Sequence, residues 1–127
     1  MDPVSDMFIR IKNAQNAHHE SVRIPYSKFK HEIARALERA GFVTRLERKG
    51  KRVKKVLDIG LLFRDKKPMV EGVFFFSRPS RRRYVPYREI KFPRRGGIVV
   101  ISTPKGVLTG KEARKEKVGG ELIAEIW

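Results

Sequence analysis

The sequence predicts an α+β fold built from two small modules. The first is α-β-α-β-β over residues 1–63, and the second, over 64–127, is mostly β with one short helix. Three observations carry this expectation. Helix-period apolar stripes are confined to the first third of the chain. The second half breaks into short β-branched and aromatic runs separated by Pro, Gly and Ser turn signals. And 127 residues with 40% apolar content suffice for two small cores but not for one large one.

Each element has a local reason. Asp2 and Pro3 read as an N-cap and first helical position. Val4, Met7, Phe8, Ile11 and Ala14 then recur at helical spacing, predicting a helix over about 3–17. "SVRIPY" is a short strand ended by Pro25. Ser27 caps a second helix whose buried stripe is Phe29, Ile33, Ala36, Leu37 and Ala40, with Gly41 at the C-terminal glycine position. "FVTRLER" and "RVKKVLDIG" form a hairpin around "KGK", with Val53, Leu57 and Ile59 on one face. "FRDKKPM" reads as the linker.

In the second half, "VEGVFFFS" is a strand stopped by "RPS", and "RRRYV" resumes extended chain. "YREIKFPRRGG" is irregular, with one helical turn. "GIVVIS" is a buried strand. After a loop "TPKGVL", Thr109 and Glu112 stand at capping-box spacing, so a helix runs from about 110 to 117. "GGELIAEIW" closes as a strand, with Leu122, Ala124 and Ile126 on one face and Ile123, Glu125 and Trp127 on the other.

Charge narrows the function classes. Thirty Lys and Arg oppose fourteen acids, for a net charge of +16. Residues 45–67 and 78–95 each hold a net +7. A solvated face explains either run alone, but two together point to a polyanionic partner. No apolar stretch approaches the roughly 20 residues needed to span a bilayer, and "MDPVSDMF" lacks the pattern of a signal peptide, so no membrane partner is expected. Without cysteine there is neither disulfide nor thiolate metal site, which fits a reducing compartment.

Enzymatic readings fail on pattern. "GVLTGKE" has three residues, not four, between Gly106 and Gly110, and Glu112 stands where a P-loop needs a hydroxyl for magnesium. His18 and His19 are adjacent and do not share a helix face, so they are a poor metal pair. Asp2 and Asp6 lie one turn apart, but a helix N-terminus favours acids without any catalytic role. No catalytic residue, metal ligand or cofactor is expected.

Nucleic-acid binding fits better. "SRPSRRRYVPYREIKFPRR" interleaves arginines, Arg82 and Arg83 among them, with Tyr84, Tyr87 and Phe92; arginine grips phosphate and aromatic faces stack on unpaired bases. For Tyr84, core packing is the equal alternative. "STPKG", Ser102 to Gly106, offers two hydroxyls and an amine beside a helix start whose N–H groups would add an anion site. Such a loop reads irregular RNA through shape and 2′-hydroxyls.

"DPVSDMFIRIKNAQ", "IPYSKFK", "SRPSRRRYV" and "ISTPKGVLTGKEARKEKVGGELIAEIW", in this order along nearly the whole chain, resemble the bacterial small-subunit ribosomal protein eight family. The resemblance implies the two modules named above and a structural role in the small ribosomal subunit, in the cytoplasm. It implies primary binding to the central domain of small-subunit ribosomal RNA during assembly, with ribosomal proteins five and twelve as neighbours. It also implies a monomer outside the ribosome and, in some members, repression of the operon's own messenger RNA.

Position by position, the resemblance places RNA contacts at Ser102, Thr103, Pro104, Lys105 and Gly106, with Glu121 as an acceptor and Tyr84, Arg82 and Arg83 alongside. Asp2, Pro3, Ser5, Asp6, Arg10 and Asn13 form a secondary RNA surface, joined by Lys28 of "IPYSKFK". The chain departs from the family twice. Pro104 replaces a serine, removing a hydroxyl and an N–H but stiffening the loop. Ser80 replaces a turn glycine, so a positive φ there would cost about 1 kcal/mol or more.

Overall fold

A computed structural model describes residues 3–51 and 54–127; the expected cap Asp2 and the sheet position Val53 lie outside the described residues. The fold is α+β. Contacts divide the chain into two compact units, Pro3–Glu71 and Gly72–Trp127.

In the first unit, α1 (Pro3–Asn16) buries Met7, Phe8, Ile11 and Ala14 of the predicted stripe, while Val4, in the first turn, is only half-buried. β1 (Ser21–Pro25), α2 (Lys28–Arg39), β2 (Val43–Lys49) and β3 (Val56–Leu61) follow. The strands form an antiparallel sheet in the order β1-β3-β2. β3 takes the centre because it is buried from Leu57 to Leu61. Pro25 is tolerated at the end of β1 because that strand is an edge.

The ends of α2 obey the expected chemistry. Ser27 Oγ accepts from Lys30 N at 3.1 Å. Gly41, at φ +83, donates to Glu38 O at 3.1 Å while Phe42 N donates to Leu37 O at 2.9 Å, the paired bonds of a left-handed helix stop. The stripe itself is rotated from expectation. Phe29 is 36% exposed, Ala40 is only half-buried, and Lys30 and Ala34 join Ile33, Ala36 and Leu37 inside. The reason is amphipathic: the lysine stem covers apolar surface as an aromatic would. Burial pushes the Lys30 amine below its ordinary pKa, and the nearby Asp6 carboxylate opposes that shift.

The expected linker "FRDKKPM" is instead a small hairpin of β4 (Phe63–Arg64) and β5 (Lys67–Pro68). Asp65 and Lys66 both take positive φ, +51 and +65, the turn whose twist matches paired strands. Gln15, fully buried on α1, holds this segment to the first unit. Its Nε2 donates to Leu62 O at 2.7 Å and its Oε1 accepts from Val70 N at 2.9 Å. The contact boundary therefore falls after Glu71 rather than near residue 63.

Asp58, at the centre of β3, is flanked in register by Arg23 on β1 and Glu47 on β2. Its side chain is 4% exposed and lies 3.0 Å from Lys49 Nζ and 3.9 Å from both Arg45 and Arg23. The lysine hydrogen bond holds the carboxyl below its ordinary value of 3.8, against burial, which pushes it up.

The second unit contains β6 (Val73–Phe75), β7 (Tyr84–Val85), a 3₁₀ turn at Tyr87–Glu89, β8 (Ile98–Thr103), β9 (Gly106–Thr109), α3 (Gly110–Glu116) and β10 (Gly120–Ile126). The sheet order is β6-β10-β8-β9, with β7 also pairing β10. Ile90, Val99, Ile101, Ala113 and Leu122 form its core cluster. Two expectations change here. Of "VEGVFFFS" only Val73–Phe75 is strand. And the β10–β8 register shifts between Leu122 and Ala124, so Leu122 shares a face with Val99 and Ile101 whereas Ala124 and Ile126 take the opposite one. The simple alternation is broken at Ile123.

Two outcomes test these placements. Gln15→Leu leaves the buried Val70 N–H unpaired, while Leu62 O keeps its bond from Met69 N at 3.1 Å, and it lowers unfolding free energy by about 1–3 kcal/mol in denaturant titration. For Asp58, a depressed folded-state pKa stabilises above about 3.8 and that stabilisation is lost as pH falls through the folded value. Asp58→Asn is therefore less stable than the parent at pH 7, and the gap closes in melts below about pH 3.8.

Candidate nucleic-acid interface

The "STPKG" segment is a tight hairpin tip, not a loop leading to a helix. β8 and β9 pair up to Thr103 and Gly106, leaving Pro104 and Lys105 as the turn. Proline pre-sets the backbone at the second position of such a turn, and Gly106, at φ +107, supplies the left-handed residue that closes it. Thr103 Oγ1 accepts from Lys105 N at 3.1 Å and donates to Gly106 O at 2.7 Å.

Two expectations are corrected by this geometry. The Thr103 hydroxyl proton is committed to the turn, so only its acceptor capacity is left for a ligand; the Ser102 hydroxyl makes no hydrogen bond among the described residues. The helix start is not an open anion site either. β9 intervenes, and Thr109 and Glu112 close a capping box, Glu112 N to Thr109 Oγ1 at 3.2 Å and Thr109 N to Glu112 Oε1 at 2.9 Å. The Glu112 carboxylate there repels phosphate, which disposes of the nucleotide-loop reading as well.

Strand pairing lines up the remaining candidates. Tyr84 on β7 is opposite Glu121 on β10, which is opposite Ser102 on β8. Directly paired antiparallel residues share a face, so Tyr84, Glu121 and Ser102 form one row leading to the hairpin tip. Tyr84 is 71% exposed, which removes the core-packing alternative. Arg82 Nη1 donates to Glu121 Oε2 at 3.2 Å, so the guanidinium balances the charge that Glu121 brings to the row. Lys105 Nζ stands 3.9 Å from Glu116, both side chains 57% exposed; such a pair holds the amine only weakly.

The arginine segment is positioned by a residue that sequence reasoning missed. Ser77 Oγ accepts from Arg83 N at 3.0 Å and donates to Leu122 O, while Leu122 N donates to Arg83 O at 2.8 Å. Nothing in sequence separates Ser77 from an ordinary turn serine. Arg78 and Arg81 exchange backbone hydrogen bonds at 2.9 Å across Pro79 and Ser80. Ser80 is not among the positive-φ residues, so the strain expected of this turn is absent. Arg83 itself separates from the row. It lines a cleft with Phe74, Phe76 and Glu125, on the other face of β10 from Glu121.

The α1 candidates lie in the first unit. Pro3, Asp6, Arg10 and Asn13 follow one helical stripe, and Asp6 and Arg10 pair at 2.9 Å. Arg10 and Asn13 are exposed, Ser5 is half-buried one position aside, and Lys28 is exposed at the start of α2. No group of three metal-ligating side chains occurs among the described residues. His18 instead stacks on Phe63 at 5.5 Å. No helix among the described residues is long and apolar enough to cross a membrane.

The sequence pattern of the family described as "Ribosomal protein S8" matches residues 2–127. The chain is 46% identical over 135 aligned residues to the small ribosomal subunit protein uS8 of Thermus aquaticus, covering 99% of this chain and 98% of that protein. It is 43% identical to the protein of the same name from Dictyoglomus thermophilum, covering 99% and 97%. With that of an Anaeromyxobacter species the identity is 42%, over the same shares.

Proposed function

The chain belongs to the ribosomal protein S8 family, structural ribosomal proteins and not enzymes, and from that premise we propose that it binds small-subunit ribosomal RNA through the second unit's hairpin face. The observation that carries this reading is the row of Tyr84, Glu121 and Ser102 ending at the tip of Thr103, Pro104, Lys105 and Gly106.

Labour divides along that face. The two basic segments attract phosphates without regard to sequence, and the row tests shape and base edges. The open Tyr84 ring is a stacking surface for an unpaired base. Ser102 donates to a 2′-hydroxyl or base edge, Glu121 accepts from a base N–H, and Lys105 places a charge on the backbone. Pro104 contributes stiffness in place of a hydrogen bond. Pro3, Ser5, Asp6, Arg10, Asn13 and Lys28 offer a second, weaker surface.

The finer assignments follow from the resemblance. The RNA is the central domain of the small-subunit ribosomal RNA, and binding occurs early in assembly in the cytoplasm. Ribosomal proteins five and twelve are neighbours, the free protein is a monomer, and a similar helix in the operon's messenger RNA is the target for repression. A footprint on small-subunit ribosomal RNA tests the first of these directly: protection outside the central domain overturns it.

Affinity for that RNA falls steeply as salt rises, because phosphate contacts release counterions; a flat response in filter binding removes the electrostatic half of the mechanism. Lys105→Ala weakens binding by about 1–3 kcal/mol with thermal unfolding unchanged, since its Glu116 partner is half-exposed. Pro104→Ser tightens binding by about 0.5–1.5 kcal/mol if the lost hydrogen bond outweighs stiffness. Excess duplex DNA fails to displace the structured RNA; displacement would favour a DNA-compacting role.

A further inference from the structure

The cleft on the opposite face of β10 is a built site that the hairpin row does not use. Its volume is about 220 Å³, below the ~300–1,000 Å³ of drug-sized pockets and suited to one ring system. Phe74 and Phe92 stand at its walls, 49% and 70% exposed. Lys91, Arg94, Arg95 and the displaced Arg83 line it too.

The walls are held in place without being covered. The Arg114 guanidinium lies 4.1 Å from the Phe92 ring, with its Nη1 buried and lacking a hydrogen-bond partner. One face of the ring is therefore fixed by cation–π attraction, although the residue as a whole stays open. Phe74 is braced edge-on by Phe76 at 5.3 Å. In the floor, Glu125 Oε2 accepts from Arg94 N at 2.9 Å and Arg95 N at 3.2 Å, which fixes the backbone carrying two of the cations. Glu125 is 2% exposed and pairs with the Arg95 guanidinium at 3.8 Å.

We propose that this cleft binds one unpaired nucleotide of single-stranded RNA, its base against Phe92 and Phe74 and its phosphate on Arg94, Arg95 and Lys91. Three features select that occupant. Open aromatic faces suit any base. Four cations at the lining suit a phosphate. The buried Glu125 fixes the backbone of Arg94 and Arg95 from beneath, so the cations stand at a set distance from the rings. A nucleotide matches that spacing, whereas an acidic peptide, having no ring to lay on Phe92 and Phe74, uses it only in part. The site goes beyond the structured-RNA face and works independently of it.

Trp127, the chain's one tryptophan, reports on the cleft, because the Arg95 guanidinium lies 4.4 Å from its ring. Titrating the full chain with hexaadenylate changes Trp127 fluorescence saturably. Phe92→Leu weakens that binding about tenfold and Phe92→Tyr restores it, on the scale of base–aromatic stacking. An abasic hexamer of equal charge also binds about tenfold more weakly. Phe92→Leu also removes the Arg114 contact and lowers the melting temperature slightly, so circular dichroism at the assay temperature checks that the variant is folded. Phe92→Tyr, which keeps a ring under Arg114, is the stability-matched control. The structured ribosomal RNA is titrated in parallel: its affinity stays in Phe92→Leu, so failure of one site is distinguishable from failure of the other. Equal binding of the abasic hexamer, an unchanged Phe92→Leu, or full competition by a hexaglutamate peptide overturns the proposal.

Discussion

One strand organises the second unit. β10 pairs with β8 along one edge and with β6 and β7 along the other, and it is buried from Leu122 to Ile126. Its register shift at Ile123 decides where chemistry appears. In an unbroken strand Glu121 and Glu125, four residues apart, would share a face. The extra residue reverses the parity. Glu121 thus joins Tyr84 and Ser102, and Glu125 joins Phe74 and the cationic cleft. A single irregularity gives a small sheet two differently charged surfaces.

So basic a chain must limit its own repulsion. A net charge of +16 repels itself, and several acids sit where that repulsion is concentrated. Asp58 lies beneath Arg23, Arg45 and Lys49; Glu125 pins Arg95 and the backbone beside it; Glu121 takes Arg82. In each case the acid is more buried than its cations. The cations keep much of their surface in water, ready for phosphate, and the acid limits the cost of gathering them.

Much was legible in sequence where causes are local. The α1 stripe, the Ser27 cap, the Gly41 stop and the Thr109–Glu112 capping box need only residues within a turn or two, and all four appear, with Val4 alone of the stripe only half-buried. The motif order that carries the family resemblance is equally a linear property. Hidden were Lys30 inside α2, whose stem passes for an apolar residue only in three dimensions, and the paired bonds of Gln15 and Ser77. Their partners lie 47 and 45 positions away. The Asp65–Lys66 turn was hidden as well, because aspartate tolerates positive φ but lysine does not advertise it and no glycine follows.

By itself, then, the chain's order of residues determined α1, α2 and α3, the caps of the latter two, its charge and its kinship, since those depend on side chains near in sequence. Only the tertiary structure decided that "STPKG" is a strand-locked tip with one hydroxyl already spent, that Tyr84 is open, and that Arg83 and Glu125 part company with Arg82 and Glu121. Those facts depend on which strands pair and in what register, and register is settled by packing summed over the whole sheet rather than by any local run.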